Sequence, residues 1–182
     1  MEHRSEAKWE GKASARLSRA RADQIWPLFT DFFNLHNWFP TLSTCYGLQG
    51  TNGQPGCVRY CAGFSIKSPS GDGDGDEDST PVNWSKERLV ALDPMERSLT
   101  YEIVDSSIGF ESYTSTVKVS PAGEEGCVIE WWFAVDPVEG WRLEDLRKKY
   151  DVGLQRMAER MEKAVADLKD GDGCTGFRTT VA

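Results

Sequence analysis

Histidine is nearly missing from this chain, with 2 among 182 residues. His3 lies close to the N-terminus and His36 stands alone, so neither a catalytic triad nor a histidine-built zinc site has enough partners. Positive charge is outweighed: Lys+Arg number 21 against Asp+Glu 29, a net charge of −8. That balance argues against nucleic acid or an anionic membrane surface as the main partner. No apolar run approaches the ~20 residues of a membrane span. The first residues (Met1 to Glu6) lack the apolar stretch of a secretory signal, so a cytoplasmic protein is expected. The 5 cysteines are odd in number and form no repeated CxxC pair. Cys45, Cys57, Cys61, Cys127 and Cys174 are therefore read as reduced thiols. Cys57 and Cys61, four apart on a strand, stand ~13 Å from each other, too far to share a metal or a bridge.

Two motifs fail on inspection. Gly47, Gly50, Gly53 and Gly56 are not followed by the GK[ST] of a phosphate loop, and they punctuate a turn between two strands. Asp72-x-Asp74-x-Asp76 resembles the start of a calcium loop, but its sixth position is Glu77 and its twelfth is Asn83. An EF-hand needs Gly and Glu there. A solvated, mobile acidic loop over residues 67–80 is expected instead, with no metal.

What is present is periodicity. Trp9, Gly11, Ala13, Ala15 and Leu17 alternate with polar residues, the mark of a half-buried strand. Ser18 is a candidate N-cap for a short helix in the aromatic-rich stretch Ala22 to Phe39, which Asp31 divides in two and Pro40 ends. β-like runs follow around the glycine-rich turn and over Cys57–Phe64, Val82–Leu92, Ser98–Val104, Phe110–Val119 and Cys127–Val135. Then the period changes. Leu143, Leu146, Tyr150, Leu154, Met157, Met161, Val165 and Leu168 form one apolar stripe on a helix of about 27 residues, ~40 Å long. Glu144–Lys148, Asp145–Lys149 and Glu159–Lys163 are expected i,i+4 pairs on its wet side.

The expected fold is α+β. A seven-stranded curved antiparallel sheet wraps a long C-terminal helix, and two short helices follow the first strand. One domain is expected over residues 8–169, between a flexible N-terminus (1–7) and a flexible tail (170–182). A curved sheet does not fit flush on a straight helix, so a small-molecule cavity is expected between them.

This order, with its local words, resembles the START/Bet v 1 helix-grip superfamily, including its polyketide cyclase/dehydrase-like members. The words are Lys8-Trp9-Glu10-Gly11-Lys12, Asp31-Phe32-Phe33-Asn34-Leu35-His36, Gly56-Cys57-Val58-Arg59-Tyr60, Lys86-Glu87-Arg88-Leu89 and Gly109-Phe110-Glu111-Ser112-Tyr113-Thr114. Within the superfamily they are most similar to plant lachrymatory-factor-synthase-like proteins. Glu87-Arg88-Leu89 and Tyr113-x-Ser115 also look like hormone-facing words of the abscisic acid receptors. The gate and latch positions here read Cys61-Ala62-Gly63-Phe64-Ser65 and Ser106-Ser107-Ile108, unlike those receptors, so a hormone-switched phosphatase partner is not expected.

The resemblance implies a catalytic set of Arg59, Glu87 and Tyr113. Such enzymes rearrange a small alkenyl sulfenic acid to a thial S-oxide without a cofactor. Strand parity agrees: Arg59 shares a face with Cys57, Cys61 and Gly63, Glu87 with Leu89 and Ala91, and Tyr113 with Ser115 and Val117. A carboxylate can carry the proton from oxygen to carbon, and a guanidinium can hold a developing oxyanion. The same Arg–Glu pair can also be a purely structural ion pair. Phe64, Ser115, Phe133, Met157 and Met161 are the candidate ligand-lining residues. The expected partner is a small hydrophobic or amphipathic molecule, held either by an isomerase or by a non-enzymatic carrier of a lipid, hormone or secondary metabolite.

Overall fold

A computed structural model describes residues 7–64 and 82–171 of the chain. The expected acidic loop, the calcium-like aspartates, Cys174, residues 1–6 and the tail after Gly171 lie outside the described residues, as does the side chain of Phe64.

Seven strands form one antiparallel sheet: β1 (Trp9–Leu17), β2 (Thr44–Gln49), β3 (Val58–Phe64), β4 (Asn83–Asp93), β5 (Ser98–Ser106), β6 (Thr114–Ala122) and β7 (Gly126–Val135). The spatial order is β1-β7-β6-β5-β4-β3-β2, so the six later strands form a meander and the first closes on the last. Alternation drives this pairing. In β7, Cys127, Ile129, Trp131, Phe133 and Val135 face inward with polar or half-exposed neighbours between them. Helix α1 (Ala22–Thr30) and a short 3-10 helix (Phe32–Asn37) follow β1, and helix α2 (Leu143–Gly171) comes last. This is the helix-grip arrangement expected.

The long helix lies along β1. Arg147 donates to the Glu10 carbonyl and Gln155 to the Ser14 carbonyl, pinning α2 to the edge strand. Its stripe is buried through Leu146, Leu154, Met157, Met161 and Val165, but Leu168 is 74% exposed, so the burial stops one turn short of the expected end. The three i,i+4 pairs do not close to ion pairs among the described residues. Glu162 is used instead to accept the backbone N–H groups of Ser18 and Arg19, at 2.9 and 2.7 Å. That contact replaces the expected Ser18 cap: α1 starts later, with Arg21 at the N-cap and a reciprocal bond from the Arg21 N–H to the Gln24 side chain. No helix among the described residues is long and apolar enough to cross a membrane.

Two further expectations shift. β6 begins at Thr114 and not at Phe110, because Gly109 and Ser112 both adopt positive φ (78° and 50°) and bend the chain before the strand. Tyr113 therefore sits just outside β6. In β4 the register slips between Leu89 and Ala91, so Ala91 turns outward and Leu92 becomes the inward residue.

Candidate functional site

A cavity of about 780 Å³ lies between the sheet and the N-terminal half of α2. That volume falls in the range of small-molecule sites. Its wall is mostly apolar: Leu35, Phe39 and Leu42 on one side, Ile103, Phe110 and Trp131 on the sheet side, and Leu146, Tyr150 and Leu154 from α2. Gly153 makes room on the helix. A Cβ there would stand 2.8 Å from the Phe39 ring, so only glycine lets that ring lie across α2. The mouth carries Arg142, Lys148, Lys149 and Arg156 against Asp145, a local cationic rim on an acidic protein.

The polar groups gather on the inner wall, at Ser85, Glu87, Tyr101 and Tyr113. The register places Arg59 opposite Glu87 across β3 and β4. Arg59 donates to Glu87 Oε2 through Nε at 2.8 Å and through Nη2 at 2.6 Å. Its Nη1 donates to the Phe32 carbonyl at 2.8 Å, and its plane stacks 3.7 Å from the centre of the Phe32 ring. The other carboxylate oxygen accepts the Ser85 hydroxyl at 2.9 Å. Both partners are buried, with side chains 4% and 10% exposed. Burial, the largest single influence, would lower the Arg59 pKa, but Glu87 together with Cys61, Cys45 and Tyr101 outweighs it and the net direction is upward.

Arg59 is thus behind the wall and not on it. Its contacting nitrogens are committed to Glu87 and Phe32, and it lies against a small void with Phe29, Phe32 and Leu99. The sequence expected a guanidinium facing the ligand; the structure puts the carboxylate in front of it. Tyr113 does reach the cavity, and its hydroxyl is buried without a hydrogen-bond partner among the described residues. A buried unpaired hydroxyl is costly, so it is a natural place for a ligand atom.

Of the expected lining residues, Ser115, Phe133, Met157 and Met161 sit behind the cavity in the core. Ser115 is spent on holding Trp131: it accepts the indole N–H at 2.6 Å and donates to the Trp132 carbonyl at 2.7 Å. Phe133 stacks on Tyr150 with centroids 4.5 Å apart. Met157 and Met161 fall on the C-terminal half of the stripe, past the end of the cavity. Phe64 ends β3.

Tyr101 and Tyr150 were missed. Both are in the inward pattern, at β5 and in the α2 stripe, and were legible there only as core. Desolvation raises both phenols; Glu87 adds to it at Tyr101, and Tyr101 and then Glu87 add to it at Tyr150, so they stay neutral donors.

The comparisons with known proteins agree with this architecture. The family described as polyketide cyclase / dehydrase and lipid transport matches residues 10–162. A solved structure of ginseng major latex-like protein 151 from Panax ginseng aligns with TM-score 0.64 at 18% identity, over 86% of this chain and 97% of that one. The protein XoxI from Bacillus cereus aligns with TM-score 0.63 at 22% identity, over 88% of this chain and 97% of that one. A protein from Thermobifida fusca aligns with TM-score 0.63 at 24% identity, over 85% and 93%. At these identities the structures speak for the fold, and the family match for descent. The chain belongs to the polyketide cyclase/dehydrase and lipid transport family.

Proposed function

We propose that the protein holds a small amphipathic molecule, apolar body in the cavity and polar end against Glu87 and Tyr113, and that Glu87 moves a proton on it. The observation that carries this reading is a carboxylate on the wall of an apolar cavity, backed by Arg59, with a Tyr113 hydroxyl in the same wall that has no partner among the described residues. A mostly apolar wall strengthens any hydrogen bond formed to a bound ligand.

The specific reaction is of the lachrymatory-factor-synthase type, the rearrangement of a small alkenyl sulfenic acid to a thial S-oxide. Glu87 takes the proton from the sulfenic oxygen and returns it to the vinyl carbon. Tyr113, with Tyr101 beside it at 6.1 Å between ring centroids, donates to the oxygen as charge develops there. Arg59 acts through Glu87 as a positioning residue. Electrons and protons balance within the substrate, so the step needs no cofactor.

One observation favours a second reading. A volume of about 780 Å³ is far larger than a three-carbon sulfenic acid needs. A carrier of a lipid, hormone or secondary metabolite would fill it, with Glu87 and Tyr113 as polar anchors.

The test generates 1-propenesulfenic acid in place from its cysteine sulfoxide precursor with a lyase and quantifies propanethial S-oxide. Product formed above the enzyme-free rate supports the isomerase. No product from folded protein sinks it, and native mass spectrometry of a retained larger ligand then supports the carrier.

A further inference from the structure

Cys45 on β2 and Cys61 on β3 are direct cross-strand partners, with their sulfurs 3.4 Å apart and both side chains buried. The sequence offered no hint of this, since the two residues belong to different strands. Cys61 lies on the cavity wall, and Leu35, Phe39 and Leu42 both line the cavity and pack around the thiol pair. β2 is an edge strand, bonded to the sheet only through β3.

We propose that Cys45 and Cys61 form a dithiol site in the cavity wall that reduces an alkyl hydroperoxide held in the cavity and closes to a cross-strand disulfide. The apolar wall takes the alkyl body and places the O–O bond beside Cys61. With the proton shared by the pair resting on Cys45, the Cys61 thiolate attacks the terminal peroxide oxygen, the O–O bond breaks, and the alkoxide takes that proton from Cys45 and leaves as the alcohol. Cys45 then attacks the Cys61 sulfenic acid and expels water. The hydroperoxide is reduced by two electrons to alcohol and water, and the two thiols are oxidised to the disulfide.

The geometry permits closure. Directly paired antiparallel residues have Cα atoms about 4.5–5.5 Å apart, within the ~4.4–6.8 Å that disulfides use. The sulfurs need only move from 3.4 Å to ~2.05 Å. The charge favours reaction as well. The hydrogen bond from Cys61, against burial and with help from Arg59, brings the Cys45 thiol down to about 6, while Cys61 rises in turn. The two thiols titrate as a pair: the first proton leaves more readily than from an isolated thiol, and the one that remains can sit on either sulfur. Glu87 opposes it and Arg59 supports it; these are the charged groups that bear on the pair. The other described cysteines offer an internal contrast. Cys57 and Cys127 are raised, chiefly by burial, Cys127 to about 11.

The experiment treats the reduced full-length protein with cumene hydroperoxide at neutral pH, blocks the remaining thiols, and maps the unreduced digest by mass spectrometry. The expected result is a peptide pair linked through Cys45 and Cys61, lighter by two hydrogens, with matching cumyl alcohol. It forms about tenfold faster than oxidation at Cys57 or Cys127. Cys61→Ser abolishes the link and cuts alcohol formation to the slow rate of the remaining thiols. The proposal is overturned if no Cys45–Cys61 link forms in the wild type, if the link forms no faster than oxidation at Cys57, or if Cys61→Ser still yields alcohol at the wild-type rate. None of these readouts involves proton transfer by Glu87, so this proposal and the isomerase reading fail separately.

Discussion

Arg59 donates twice to one oxygen of Glu87, at 2.8 and 2.6 Å, and Ser85 donates to the other at 2.9 Å. These three hydrogen bonds converge on the carboxylate, and Glu87 lines the cavity while Arg59 does not. Removing the arginine strands a buried charge. Arg59→Met is expected to cost about 3–5 kcal/mol, read by urea denaturation. A loss below ~1 kcal/mol would place the pair in the exposed, weakly coupled class.

Tyr113 behaves in the opposite way. Its hydroxyl is buried and has no partner among the described residues, so Tyr113→Phe removes a desolvated group that gives nothing back without a ligand. The variant is expected to be about 1 kcal/mol more stable than wild type, while binding or turning over its ligand less well. A destabilised variant would mean that the hydroxyl has a partner in the empty protein.

Met161 separates core from cavity. It is fully buried on the far half of the stripe. Met161→Ala is expected to lower stability by about 2–5 kcal/mol through the void it leaves, with the ligand's affinity for folded protein nearly unchanged. A large change in affinity with little change in stability would move Met161 to the wall.

The buried phenols set an alkaline limit. Tyr101 and Tyr150 are raised above the ordinary phenol, so an unfolded chain releases their protons at a lower pH than the native one. Their contribution is fully present below about pH 10, the unfolded value, and is lost as pH climbs through the raised native range. Stability against urea should fall above that point, and Tyr101→Phe should reduce the steepness of the fall. An unchanged slope in that variant would contradict the assignment.

The strands and the long helix were legible because their patterns are local: the alternation Ala13, Ala15, Leu17 and the stripe from Leu146 to Val165 each state a face without reference to the rest of the chain. Arg59 and Glu87 were legible through resemblance and parity together. What failed depended on register or position along a face. The slip between Leu89 and Ala91 reversed the inward set, and the contact between Cys45 and Cys61 exists only because a hairpin of particular length aligns them. Met157 and Met161 share a stripe with Tyr150 and Leu154, and nothing in a stripe says where along it the sheet lifts away to leave a cavity.

The central claim is that Glu87 is a proton-transfer group and not only the partner of Arg59. Glu87→Gln keeps the shape and tests this directly when turnover of 1-propenesulfenic acid is compared with wild type on folded protein of matched thermal stability. The account predicts that product formation falls by about 10²–10⁴-fold, the usual worth of a general acid–base group, with tryptophan fluorescence still reporting ligand entry. Turnover within about twofold of wild type would contradict it, because a general acid–base group is worth far more than that.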